Sequence, residues 1–146
     1  MSLAANLAGK AINISKTTAP HATSYPFTSL YNVSHGHAVS LFFESFFKFN
    51  FQNLKQSETS FDLKKRFELI FSIFDVNNIN EFSEKIILLK KKANLVDDLR
   101  ILKIDLNKNY NQIIKGVNLL RLGNNPVKIV EKDIYNIFQK NNNLIK

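Results

Sequence analysis

Apolar residues recur every three or four positions along this chain, and nowhere do apolar and polar residues alternate long enough to make a strand face. That spacing leaves helices as the material of the fold. Four glycines and three prolines in 146 residues are also too few for the many turns of a β protein. The expected class is all-α, a multi-helix bundle. Residues 1–146 suit a single domain, since a chain of this length can bury a core of its own.

The first helix is expected over residues 4–15, where Ala4, Ala5, Ala8, Gly9 and Ala11 would let it pack closely against neighbours. Thr17-Thr18 offers a cap for a second helix over residues 19–30, with Pro20 tolerated in its first turn. A third spans residues 35–53 through a phenylalanine-rich stretch. Ser60 is expected to cap a helix that turns Phe67, Ile70, Phe71 and Phe74 inward, and Asn80 one that turns Phe82, Ile86, Leu89 and Ala93 inward. A further helix covers residues 105–120 with Ile113, Ile114 and Val117 facing the core, and Gly123-Asn124-Asn125-Pro126 breaks the chain after it. The last helix is expected over residues 131–140, with Ile134, Ile137 and Phe138 buried and Asn141-Asn142-Asn143 fraying.

Composition narrows the chemistry. With no cysteine, disulfides, thiolate metal sites and a cysteine nucleophile are all excluded. The net charge is +8, but the lysines are spread along the chain. The densest run, Lys90-Lys91-Lys92, falls at a predicted helix end, where cations oppose the dipole. A solvated surface is therefore expected, with no nucleic acid as partner. Residues 39–51 are too short to span a membrane and carry Glu44 and Lys48, so no membrane partner is expected. The N-terminus has no basic region ahead of an apolar run, which is not a signal peptide and makes a cytoplasmic protein the default.

All three histidines fall between positions 21 and 37, as Pro20-His21 and His35-Gly36-His37. Neutral imidazole is the commonest ligand of Zn and Fe(II), so the clustering invites a metal site. The separation of His21 and His35 is not the four-residue step that puts two ligands on one helix face. They can converge only if two packed helices bring them together. From spacing alone, ordinary surface or core histidines are the favoured reading.

The run Ala4-Ala5-Asn6-Leu7-Ala8-Gly9-Lys10-Ala11-Ile12-Asn13, then His21-Ala22-Thr23-Ser24-Tyr25-Pro26, then His35-Gly36-His37-Ala38-Val39 resembles the C-terminal domain of the iron-containing (group III) alcohol dehydrogenases. That family shares the dehydroquinate synthase-like fold. Leu102-Lys103-Ile104-Asp105 and Leu122-Gly123-Asn124-Asn125-Pro126 are similar to turns of the same family. The resemblance implies an all-α metal-binding domain in which His21 and His35 are metal ligands, with Fe(II) or Zn as the metal. It also implies that the nucleotide-binding domain, which would hold most of the NAD(P), and the helix carrying an aspartate and a histidine ligand precede this chain. The implied enzyme is an NAD(P)-linked alcohol dehydrogenase or aldehyde reductase acting on a small alcohol or aldehyde.

A pocket-lining histidine often follows the family's first ligand by one helical turn; here that position is Tyr25, which can donate a hydrogen bond to substrate or simply pack on the helix below. His37 is not at a family ligand position; at a helix N-terminus it can face an anionic substrate, or stand as a half-exposed first-turn residue. The segment from Gly9 to His21 is similar to the phosphonoacetaldehyde-reductase-like branch, where Lys10, Lys16 and His37 would suit a phosphonate. No catalytic residue and no cofactor-binding residue is assigned within the chain, because Gly9, Gly36, Gly116 and Gly123 are isolated and none opens a phosphate-binding turn. The chain alone is expected to be inactive, to gain little stability from added metal, and to self-associate as a homo-oligomer through an uncovered apolar face. Two other readings stay open: a dehydroquinate-synthase-like cyclase, whose His-Gly-Glu-Ala-Val segment has its glutamate replaced here by His37, and a non-catalytic helical interaction module.

Overall fold

A computed structural model of the chain describes residues 1–143, with side chains as far as Lys140. The described residues form α1 (Ser2–Ser15), α2 (Ala19–Tyr31), α3 (His35–Gln52), α4 (Leu63–Phe74), α5 (Ile79–Lys92), α6 (Leu106–Lys115), α7 (Leu119–Leu122) and α8 (Glu131–Asn143), with a 3-10 turn over Leu54–Gln56. The all-α expectation holds. The only β pairing among these residues is an isolated antiparallel bridge between Ser57 and Val127.

The centre of the molecule is α3, and its phenylalanines explain why. A helix apolar on one stripe buries one face; a helix apolar most of the way round separates two cores. Phe42 and Phe46 face a cluster with Phe27 of α2, Ile113 of α6 and Ile134, Ile137 and Phe138 of α8. Phe43, Phe47 and Phe51 face a second cluster with Phe67 and Phe71 of α4 and Ile79 and Phe82 of α5. Ring pairs knit each side, with Phe42 and Phe138 at 4.3 Å between centroids and Phe47 and Phe82 also at 4.3 Å.

Pro26 lies inside α2 and has no N–H, so the Ala22 carbonyl loses its helical partner. The backbone N–H of Asn118 replaces it, donating to Ala22 O at 3.0 Å. Ala22 is fully buried, so without that bond a polar atom would be stranded. The approach also needs Gly116. A Cβ there would stand 2.9 Å from Cβ of Pro26, which belongs to a rigid ring.

This contact corrects the helix expected over residues 105–120. It ends at Lys115, Gly116 turns the chain, and Asn118 caps the separate α7 by accepting from the Arg121 N–H at 3.0 Å. Two other caps lie two residues from their expected places. Asp62, not Ser60, accepts from the Lys65 N–H. Asn78, not Asn80, accepts from the N–H groups of Asn80 and Glu81. Asp62 reaches the donor three positions on, and Asn78 those two and three positions on.

The buried face of α5 also differs from the expected one. Leu89 and Ala93 are exposed, while Ile79, Phe82, Ser83 and Lys90 are buried. Lys90 is thereby removed from the solvated surface assigned to it. Its Nζ pairs with Asp97 Oδ1 at 3.0 Å, without the alignment of a hydrogen bond, and donates to Ser40 O at 3.3 Å. The close packing expected of α1 is also absent: none of its residues is buried, and Leu3, Leu7 and Ile14 are exposed. At the other end, α8 continues through Asn143 rather than stopping at Lys140.

Gly116→Ala should destabilise the protein by about 1–3 kcal/mol in urea unfolding, because the added methyl meets Pro26 and levers Asn118 away from Ala22. The Glu81 carboxylate accepts from the Asn77 N–H at 2.8 Å and from the Asn77 and Asn78 side chains. These bonds, the backbone one first, hold its pKa below the usual 4.5 despite some desolvation acting the other way. A depressed folded-state pKa gives stability that is present above the unfolded value and lost as pH falls through the folded one. The protein should therefore be more stable than Glu81→Gln at neutral pH, and paired thermal melts should converge as the pH drops below that of an ordinary glutamate.

Candidate metal centre

His21 sits in the first turn of α2 and His35 opens α3, so the tight α2–α3 packing decides whether the two rings meet. They do. Their centroids are 5.4 Å apart, with the planes tilted by 58°. Two imidazoles sharing one tetrahedral ion at 2.0–2.1 Å per bond would have ring centres roughly 5 Å apart. The pair therefore has a spacing at which both rings could hold a single metal. His21 is half-buried and His35 exposed, which leaves one side of the pair open.

Protonation follows from the surroundings. Burial lowers the His21 pKa first, and the neighbouring His35 and then Arg121 add to it, all favouring the neutral ring that can donate a lone pair. Ser24, one turn after His21 and fully buried, settles the tautomer of His35. Its hydroxyl has one proton, which it donates to the His21 carbonyl at 2.8 Å. In its 3.3 Å contact with His35 Nδ1 it must then accept, so Nδ1 carries a hydrogen, and in the neutral ring that leaves the lone pair on Nε2.

Tyr25 stands beside this pair, 5.8 Å from His35 between ring centroids. Above its ring lies Arg121, with the guanidinium carbon 5.7 Å from the centroid. Arg121 also donates to Oγ1 of Thr17, and Asn124 Nδ2 donates to Thr17 O at 3.1 Å. Thr17 is thus spent on these contacts, and although Thr18 takes the cap position of α2, its side chain makes no capping bond.

His37 is elsewhere engaged. Its Nε2 lies 2.7 Å from the Val96 carbonyl, which can only accept, so that nitrogen carries a proton and donates it. None of the ring contacts among the described residues joins His37 to His21 or His35. Lys10 and Lys16 are exposed on and just beyond α1. The structure thus brings together His21, His35 and Tyr25, and adds Ser24, Arg121 and Thr17, none of which the sequence had marked as part of a site. Ser24 was open to that reading, being three residues after His21; Arg121 was not, because only the Pro26–Asn118 contact aims it here.

Among the described residues no group of three or more His, Asp or Glu side chains could hold a metal together. A groove of about 450 Å³ lies between α3 and α8, lined by Glu44, Lys48, Phe49 and Ile137, and shares no residue with the histidine pair. Among the described residues, no helix is long and apolar enough to cross a membrane.

The family model described as Fe-containing alcohol dehydrogenase family, C-terminal, matches residues 1–142. The chain belongs to that family. No curated protein and no solved structure matches it. In this C-terminal alcohol dehydrogenase chain, the helical architecture and the closeness of α2 and α3 are what bring the paired imidazoles together.

Ser24→Ala removes the acceptor at Nδ1 of His35. The tautomer balance of that ring should then shift away from Nδ1–H, visible as a change in its two imidazole nitrogen shifts at a pH where the ring is neutral, while the His37 signals stay in place.

Proposed function

We propose that the chain is the C-terminal part of a metal-dependent, NAD(P)-linked alcohol dehydrogenase or aldehyde reductase, with His21 and His35 as two of its metal ligands. One observation carries the reading: the 5.4 Å spacing of two rings that lie fourteen positions apart, on different helices, in a chain of this family. The neutral state favoured for His21 and the lone pair left on Nε2 of His35 fit Fe(II) or Zn.

A metal held here supplies Lewis acidity to the alcohol or carbonyl oxygen. The chain's own residues hold and orient the pair. Ser24 orients His35 by accepting a hydrogen bond from its Nδ1–H, and the packed start of α2 holds His21 against it. Tyr25 offers a phenol at the edge of the pair, able to donate a hydrogen bond to substrate. His37, with Nε2 committed to Val96, would have to act through its other nitrogen, which makes it the weaker of the two substrate-binding candidates.

Two imidazoles are half of a four-ligand set. The remaining ligands and the NAD(P) site are assigned to a preceding nucleotide-binding domain; the described residues contain no strand–turn–helix unit to cradle a pyrophosphate. The chain alone is accordingly expected to be inactive. The narrower phosphonoacetaldehyde-reductase-like reading leans on Lys10, Lys16 and His37, of which His37 is partly spent.

Co(II) titrated into the chain should broaden the ring signals of His21 and His35 first, and His21→Ala or His35→Ala should each remove the effect at the surviving ring. Broadening that ignores both variants, or centres on carboxylates, would sink the proposal. Because two ligands bind weakly, Zn(II) at a concentration near its dissociation constant should raise the melting temperature by only about 1–2 °C.

A further inference from the structure

Arg121 has more hydrogen-bonding capacity than its surroundings use. Its guanidinium carries five N–H donors in a planar fork. One nitrogen donates to Thr17 Oγ1, and the guanidinium carbon lies over the Tyr25 ring, 5.7 Å from its centroid. None of the salt bridges among the described residues includes it. The other ionisable groups acting on this corner are the imidazoles of His21 and His35 and the phenol of Tyr25, none of which is a fixed anion. The arginine is half-buried on a four-residue helix and held by Asn118 at the cap and Thr17 at the tip. A pinned, half-desolvated guanidinium with donors to spare is a fit for a carboxylate or phosphonate, which it can grip with two parallel bonds.

We propose that Arg121 is an anion subsite of the His21–His35 centre, so that the substrate is a small alcohol or aldehyde bearing a carboxylate or phosphonate. This assignment rests on the metal reading above. The substrate's oxygen function is directed to the histidine pair, and its oxyanion lies on Arg121 across the edge of Tyr25. Such an arrangement separates the two ends of the substrate by one aromatic ring, with Tyr25 contacting both His35 and Arg121. The anion also offsets positive charge that a divalent ion and a guanidinium would otherwise leave uncompensated in a partly desolvated corner. Lys10 and Lys16, exposed and unpinned, do not have this geometry.

The test uses the chain with acetate and methylphosphonate as separate probes at constant ionic strength, with chloride as the control. Side-chain signals of Arg121 and Tyr25 are followed without metal and with Zn(II). Saturable shifts at Arg121 that tighten when zinc is added are expected, and the stronger of the two probes distinguishes a carboxylate from a phosphonate substrate. Arg121→Gln should weaken the probe by about tenfold or more while zinc still perturbs the rings of both His21 and His35. Arg121→Lys, which keeps the charge but not the fork and so guards against a folding defect in the glutamine variant, should fall between the two. Wild-type affinity retained in Arg121→Gln, or no saturable shift in the wild type, would overturn the subsite and leave Arg121 as a brace for Thr17. If the probes saturate at Arg121 while zinc leaves both histidines unmoved, the metal reading falls and the substrate assignment with it. If zinc perturbs the histidines and neither probe binds, only the subsite falls.

Discussion

One missing hydrogen organises this molecule. Pro26 cannot donate to the Ala22 carbonyl, and that carbonyl is buried. A buried acceptor left without a partner costs about 1–3 kcal/mol, so the fold must supply a donor from outside the helix. It supplies the Asn118 N–H, and the requirement propagates. The α6 helix has to stop early, Gly116 has to lack a side chain where it meets the proline ring, and Asn118 has to serve twice, with its backbone bonded to α2 and its side chain capping α7. A four-residue helix has no stability of its own. α7 exists because its cap residue, Asn118, is fastened to α2, and Arg121 points at Thr17 and Tyr25 for the same reason.

The position of His35 depends on a second set of ties. As the first residue of α3, it is only as well placed as the start of that helix. The aromatic clusters on both sides of α3 fix its middle. Its start is held from the loop after α5, where Val96 accepts from His37 and Asp97 pairs with Lys90, whose ammonium also donates to Ser40 O. A mostly buried ion pair adds little net stability compared with apolar packing of the same volume. Removing either partner, however, would leave the other poorly compensated. His37 thus contributes to the site indirectly, by fixing the helix on which His35 stands.

Helix period and the scarcity of turn residues were enough to expect α2, α3, α4, α5 and α8, because these helices are long and their buried faces repeat. Local chemistry was harder to read. Ser60 and Asp62, or Asn78 and Asn80, are all good caps in isolation, and which one reaches the free N–H groups depends on where the apolar face must land. Leu89 faces outward and Lys90 inward, where Lys90 meets Asp97 and Ser40, partners that no local pattern reveals. The small residues of α1 were a correct sign of a helix and a misleading sign of packing, since none of them is buried. Of the candidate centre, His21, His35 and Tyr25 could be named from spacing and family likeness. Arg121 could not, since nothing local to it marks a site, and its placement is decided by a proline nearly a hundred residues earlier.

The centre itself sets two demands against each other. Burial, a neighbouring imidazole and a guanidinium all disfavour a proton on His21, and no fixed anion among the groups acting on it opposes them. That is the right bias for a lone-pair donor, because a ligand ring must be neutral. Yet the same positive surroundings that expel a proton also disfavour a metal cation. Desolvation, the largest of the influences on His21, is not relieved by adding more positive charge. A ring kept neutral beside an arginine therefore becomes a good metal ligand only when negative charge arrives with the metal. In the proposed enzyme that charge comes from an acidic ligand beyond these residues, from the substrate's own oxyanion on Arg121, or from both. The geometry around Tyr25 makes the second source the one that this chain can provide for by itself.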